Sequence, residues 1–277
     1  MITESTNAIL DREACLTSAP IRVIQFGSRS RRLHGIVDEP QPGAYCGRSV
    51  VLCYPQGQDY ATAFRSFRVL ATRLRNAGCR VLRFDYYGTG DSEGDLQDAS
   101  VDQWVADVCA AIREVRLMGL TDVSVVGLRL GAALAALAAR QEPIARLALW
   151  EPVLDGAAYL GSLRTMHETW MQDERRNGRS AASTDEDVFG DRPGVMLREQ
   201  LTRIDLWSLS SALPSVQLVW HGEEPQHEQF ASALRQKGAS VTTTRVDGPT
   251  IWSRSPVMPE PAVPNRALQA VISFLVS

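Results

Sequence analysis

The residue with the most chemical content stands in the run Val126-Gly127-Leu128-Arg129-Leu130-Gly131-Ala132. Glycines two positions either side of Arg129 mark a sharp turn that crowds the neighbouring backbone. A guanidinium stays protonated at any physiological pH and has no lone pair to give, so Arg129 cannot attack an acyl carbon. It can hold a fixed positive charge, and its planar fork binds a carboxylate, phosphate or enolate through two parallel bonds. The competing reading is an internal ion pair between Arg129 and Glu151 that fills the site.

The remaining candidates each carry two readings. His221 follows the apolar run Val216-Gln-Leu-Val-Trp220 and can move a proton near neutral pH, or it can simply bond a loop carbonyl. His221 and His227, with Glu223 and Glu224 between them, lack a third placed ligand, so no metal site and no cofactor are expected. Cys53 reads as a small buried hydrophobe without an activating histidine. Asp85, Asp91 and Ser92 read as turn residues. Tyr54, Tyr86 and Tyr87 end strands and either line a pocket or pack as aromatics. Met166, His167 and Trp170 are spaced to contact an apolar substrate or to form one buried helix face.

Alternating elements position these groups. Strand-like runs at 21–26 and 32–37 form an antiparallel pair, and 49–54 is continuously apolar, as in a strand buried on both faces. A helix spanning 61–77, with Phe64, Phe67, Leu70 and Leu74 in register, precedes a strand at 80–85. Helix 101–118, strand 122–127, helix 130–140 and strand 145–150 follow. The rhythm lapses over 156–213 and returns with strand 216–220, a helix at 226–237, strand 240–246 and a helix at 265–275. Helices between strands dictate an α/β architecture, here a mostly parallel eight-stranded sheet with helices on both faces. Three parts are expected: an extension at 1–20, a core made of 21–155 and 214–277, and a cap at 156–213 inserted after the sixth strand, over the strand ends where such sheets bind ligands.

Leu52-Cys-Tyr-Pro-Gln-Gly-Gln-Asp-Tyr60, Leu82-Arg-Phe-Asp-Tyr-Tyr-Gly-Thr-Gly-Asp-Ser92, Gly127-Leu-Arg-Leu-Gly131 and Leu149-Trp-Glu-Pro-Val-Leu-Asp-Gly156 together resemble α/β-hydrolase-fold proteins. Among these the chain is most similar to serine-aminopeptidase-like and exosortase-system-associated hydrolases. The resemblance covers about residues 21–277 and implies the α/β-hydrolase fold. In that fold the turn reads G-x-S-x-G, so Arg129 occupies the nucleophile position. The resemblance further implies oxyanion donors at the backbone N–H of Leu130 and of Gln56 or Gly57. It places the acid at Glu151, Glu223 or Glu224. The base should be a histidine after the last strand, yet the four histidines are 34, 167, 221 and 227. Trp252 lies in that last loop and joins Tyr54, Tyr87 and His167 as a candidate binding residue.

Composition closes off other classes. With 29 basic and 32 acidic residues, a net charge of −3 gathers no nucleic acid. The longest apolar run, 131–139, is half a bilayer span, so no membrane partner is expected. Gly88-Thr-Gly90 falls short of a dinucleotide fingerprint. Five cysteines without a C-x-x-C pair, and an acidic start where a leader would be basic, favour a reducing cytoplasm. A homodimer is left open.

The functional expectation is an atypical enzyme on a small acyl, ester or carboxylate molecule, carrying out an elimination, cyclisation or isomerisation in a biosynthetic pathway. In it Arg129 binds developing negative charge, Glu151 orients Arg129, and His221 moves a proton. Two alternatives stand: an esterase- or thioesterase-like hydrolase in which Glu151 or His221 activates water, and a binding or scaffold protein that has lost catalysis.

Overall fold

The computed structural model describes residues 21–119, 122–176, 192–209, 213–247 and 263–277. Its centre is one eight-stranded sheet: β1 (Ile21–Ser28), β2 (Arg31–Asp38), β3 (Arg48–Cys53), β4 (Arg80–Phe84), β5 (Asp122–Leu128), β6 (Arg146–Trp150), β7 (Ser215–His221) and β8 (Val241–Val246). The spatial order is β1-β2-β4-β3-β5-β6-β7-β8. Only β2 runs against its neighbours; β4 through β8 pair in parallel through β3. Seven helices are described: α1 (Gln58–Asn76), α2 (Val101–Leu117), α3 (Leu130–Ala138), α4 (Gly156–Arg176), α5 (Val195–Thr202), α6 (Pro225–Gln236) and α7 (Asn265–Val276). The expected 1–20 extension and Trp252 lie outside the described residues.

Burial follows the sequence pattern closely. β3, β5 and β6 are covered on both faces, which is why they are apolar at successive positions. The stripe on α1 buries Phe67, Leu70 and Leu74, but Phe64 stays substantially exposed and stacks on Tyr54 with ring centroids 6.2 Å apart. α3 is buried almost entirely, because alanines let it lie close between β5 and α2. Between β6 and β7 the chain forms α4 and α5, which pack on each other.

Register brings the chemistry together. β3 and β5 pair with Cys53 opposite Gly127, so the loop after β3 lies beside the turn after β5. β5 and β6 pair with Leu128 opposite Trp150, which sets Glu151 next to Arg129's strand end. β7 follows β6, adding His221 at the same edge.

A buried carboxyl holds the turn after β4. Asp107, on α2, accepts from the Tyr87 N–H at 2.9 Å and from Gln103 Nε2 at 2.6 Å. Burial pushes its pKa up to about 6, against the hydrogen bonds from Tyr87 and Gln103 that lower it. The folded state thus holds this proton more tightly than the unfolded chain does. Its contribution to stability is least above about pH 6 and is recovered as pH falls from there toward the unfolded value. Going from about pH 7.5 to about pH 5, the group is expected to add on the order of 1 kcal/mol, and Asp107→Asn should flatten that part of the profile. Urea melts of both proteins across this range check it; equal slopes would assign the proton elsewhere.

Candidate active site

The turn after β5 is sharp and strained, an elbow that carries a cation. Arg129 has φ 55° and ψ −120°, a conformation costing about 1–3 kcal/mol for a side chain with a Cβ. Its backbone is pinned on both sides: Arg129 N–H donates to Trp150 O at 2.9 Å, and Arg129 O accepts from Ala132, Ala133 and Val153. Glu151, at the neighbouring strand end, is strained likewise with φ 47°, and its N–H donates to Val219 O. The flanking glycines are obligatory. A Cβ on Gly131 would come within 3.0 Å of the Cys53 and Tyr54 carbonyl oxygens, and one on Gly127 would meet the Ala132 backbone equally closely.

Arg129 is paired with a residue the sequence did not single out. Its Nε donates to Asp59 Oδ2 at 3.4 Å, and the guanidinium carbon lies 5.3 Å from the centre of the Tyr159 ring. Tyr159, near the start of α4, donates its hydroxyl to the same Asp59 oxygen at 3.2 Å. Asp59 is 2 % exposed and sits in the first turn of α1, where helix N–H groups favour an anion. Burial nevertheless raises its pKa, opposed by the Arg129 charge and by the bonds from Arg129 and Tyr159. The result is a cation, a carboxylate and a phenol from three separate elements.

The expected Arg129–Glu151 pair is therefore replaced by Arg129–Asp59. The reason lies in the turn after β6. It sends the Glu151 carboxylate toward β7, where Oε1 accepts from the His221 N–H at 2.5 Å and lies 3.2 Å from His221 Nδ1. Oε2 lies 3.8 Å from His227 Nε2. Glu151 and His221 are only 4 % and 5 % exposed. Burial lowers the pKa of His227, outweighing the Glu151 and Glu224 charges that raise it.

A cavity of about 440 Å³ opens beside the elbow. One end is polar: Gln56, Gly57 and Gln58 at the start of α1, and Leu130 at the start of α3. First-turn N–H groups have no acceptor within their own helix, so both helices aim donors and positive dipole ends there. Tyr54, Tyr60, Phe84, Tyr86 and Trp104 form an aromatic wall, and Tyr159, Leu160, Leu163, Leu197 and Leu201 of α4 and α5 face it. Asp85 also lines the space, its pKa raised by burial.

Of the residues proposed from sequence, Tyr54, Gln56, Gly57 and Leu130 line this cavity. Arg129, Glu151, His221, Tyr87 and His167 are not among its lining residues. Tyr87, in the turn beyond β4, packs its ring against Gly94, and Tyr86 takes the inner position. On α4 the inner face is Tyr159-Leu160-Leu163, and His167 is one turn further along, 5.9 Å from Trp170. Cys53 is inert: burial pushes its thiol well above the ordinary range. Asp59 stands inside the run Leu52–Tyr60 but has no role there by residue type alone, and Tyr159, 100 positions on, carries no motif.

The model of the alpha/beta hydrolase family matches residues 42–269. No curated protein matches the chain. Among solved structures, Est1E from Butyrivibrio proteoclasticus with ferulic acid bound superposes with a TM-score of 0.66 at 16 % identity, covering 91 % of this chain and 98 % of that one. An esterase from Pyrococcus furiosus gives 0.65 at 13 % identity, covering 93 % and 90 %. A putative hydrolase from Agrobacterium vitis gives 0.60 at 18 % identity, covering 92 % and 98 %. With the elbow, the sheet order and a match over most of its length, the chain belongs to the alpha/beta hydrolase family.

Proposed function

We propose that the protein acts on a small, largely apolar and partly aromatic acyl compound (an acid, ester or thioester) without forming an acyl-enzyme. The observation that carries this reading is the open cavity lined by Gln56, Gly57 and Leu130, the residues expected to supply oxyanion donors, beside a turn whose central residue is Arg129. The substrate's carbonyl or carboxylate oxygen accepts from the N–H of Leu130 and of Gln56 or Gly57, the arrangement that stabilises developing oxyanions. The aromatic wall takes the apolar body. Arg129 holds Asp59 as an anion and keeps a positive charge against the Tyr159 ring; Tyr159, with its hydroxyl on Asp59, moves the proton at the cavity wall. Elimination, cyclisation and isomerisation need such an oxyanion site and a proton carrier, and no covalent serine.

Water-activated hydrolysis is the second reading, favoured by the Glu151–His221 carboxylate–imidazole contact of 3.2 Å and by the esterases among the structural neighbours. One experiment separates the two. The protein is incubated with a serine-directed fluorophosphonate and, separately, with arylalkanoic acids and their methyl esters and thioesters. The first reading expects no labelled serine, binding of the free acids detected by thermal shift, and loss of that binding when Leu197→Trp fills the cavity. Ester hydrolysis that His221→Gln abolishes would establish the second reading, and a labelled serine would overturn both.

A further inference from the structure

A second cluster of chemistry lies apart from the cavity, at the ends of β6 and β7. Glu151, Glu224 and His227 each bring one ligand atom within 4.8 Å of the other two. Glu224 is the N-cap of α6 and His227 lies in its first turn, while Glu151 arrives from a different strand. His227 Nδ1 stands 3.6 Å from Glu224 Oε2. It is buried, with no hydrogen-bond partner, in a side chain 2 % exposed. A buried polar atom left without a partner is uncommon in a native fold and asks for one. On the far side Glu151 spends Oε1 on the His221 N–H and ring, and Oε2 faces His227. Two ligands bound tetrahedrally to one zinc ion stand about 3.4 Å apart, given metal–ligand bonds of about 2.0–2.1 Å. Nδ1 faces Glu224 while Nε2 faces Glu151, so closing the present spacing onto an ion at one ring nitrogen takes a turn of the His227 ring or a shift of Glu151 as well as movement of the exposed Glu224.

We propose that Glu151, Glu224 and His227 form a binding site for a divalent transition-metal ion of the zinc class. Calcium and magnesium take oxygen ligands only, whereas a mixed imidazole and carboxylate set suits zinc. His221 acts as the outer partner that fixes the Glu151 carboxylate, the usual role of a group bonded to a metal ligand. Two carboxylates balance the ion's charge. The N-terminus of α6 opposes a cation, so binding is expected to be moderate rather than tight. None of the three ligands lines the cavity, so this site stands or falls separately from the first reading of the function; it shares Glu151 with the second.

The test is titration of the metal-free full chain with Zn²⁺ by calorimetry, and with Co²⁺ by its ligand-field absorption. One equivalent of Zn²⁺ should bind, Co²⁺ should show absorption typical of nitrogen and oxygen ligation, and Glu224→Gln should weaken binding about tenfold or more. Glu223→Gln, on the neighbouring exposed side chain that pairs with Arg245, should leave binding unchanged. Circular dichroism of Glu224→Gln verifies that the variant is folded. Absence of one-equivalent binding, binding indifferent to Glu224→Gln, or equal weakening by Glu223→Gln would each overturn the site.

Discussion

Replacing Arg129 with alanine should cost stability at neutral pH and return part of it in acid. The substitution leaves Asp59, 2 % exposed, without its cation, and an uncompensated buried carboxylate is costly. Breaking a fully buried pair costs about 3–5 kcal/mol, but the Arg129 side chain is 19 % exposed and solvent screens part of the pairing. A loss of about 2 kcal/mol is expected. Without the guanidinium, the Asp59 pKa rises further above its unfolded value. The penalty is then full at high pH and shrinks as pH falls through the raised folded value toward the unfolded one. The double variant Arg129→Ala/Asp59→Asn should recover most of the loss, since a neutral amide can still accept from Tyr159. Denaturant melts of the four proteins at two pH values give the coupling directly. An additive cycle, or a single variant insensitive to pH, would show that Asp59 does not depend on Arg129. Both variants should also weaken binding of the acid probes, because the charge held behind Tyr159, which lines the cavity, is gone.

Gly131→Ala should be more severe. The added methyl is driven into the carbonyl oxygens of Cys53 and Tyr54, which belong to β3 and the loop after it and cannot swing aside as a flexible side chain would. Overpacking in a tight core costs about 1–3 kcal/mol, and backbone on both sides of the clash places this substitution at or above the upper end. The strand loop that displaces is the one presenting Gln56 and Gly57, so probe binding should fall with stability. A melt matching the unsubstituted protein would mean that α3 can slide away from β3. Gly119→Ala is a useful contrast: its positive φ strains alanine, but a Cβ there meets nothing.

Much of this architecture was legible because it rests on local rules. Continuous apolar runs announced β3, β5 and β6, and each described strand falls within a few residues of its expected place. The elbow was legible for the same reason, as the two glycines are demanded by contacts next to them in the chain. The partner of Arg129 was not. Glu151 is the nearer acid along the junction, but which way a carboxylate points after β6 depends on a backbone turn at positive φ that composition does not encode. Asp59 and Tyr159 come from α1 and α4 and meet only once the sheet has set their separation. His167 was misplaced by a single helical turn, since periodicity identifies a face without saying how far along it the cavity extends. Glu151, proposed as the third ligand beside Glu224 and His227, could not be placed next to them from sequence for a similar reason: it comes from another strand.

The bonds that bend the chain at position 129 run from its own backbone to Trp150, Ala132, Ala133 and Val153, and none involves its side chain. The bend is thus a socket that outlives whatever is plugged into it. Once the charge and its counter-charge are removed together, the Arg129→Ala/Asp59→Asn protein is a blank mount. Cysteine, histidine or lysine installed there would be presented at the same angle beside the same donors, turning one position into an exchangeable fitting for new reactivity.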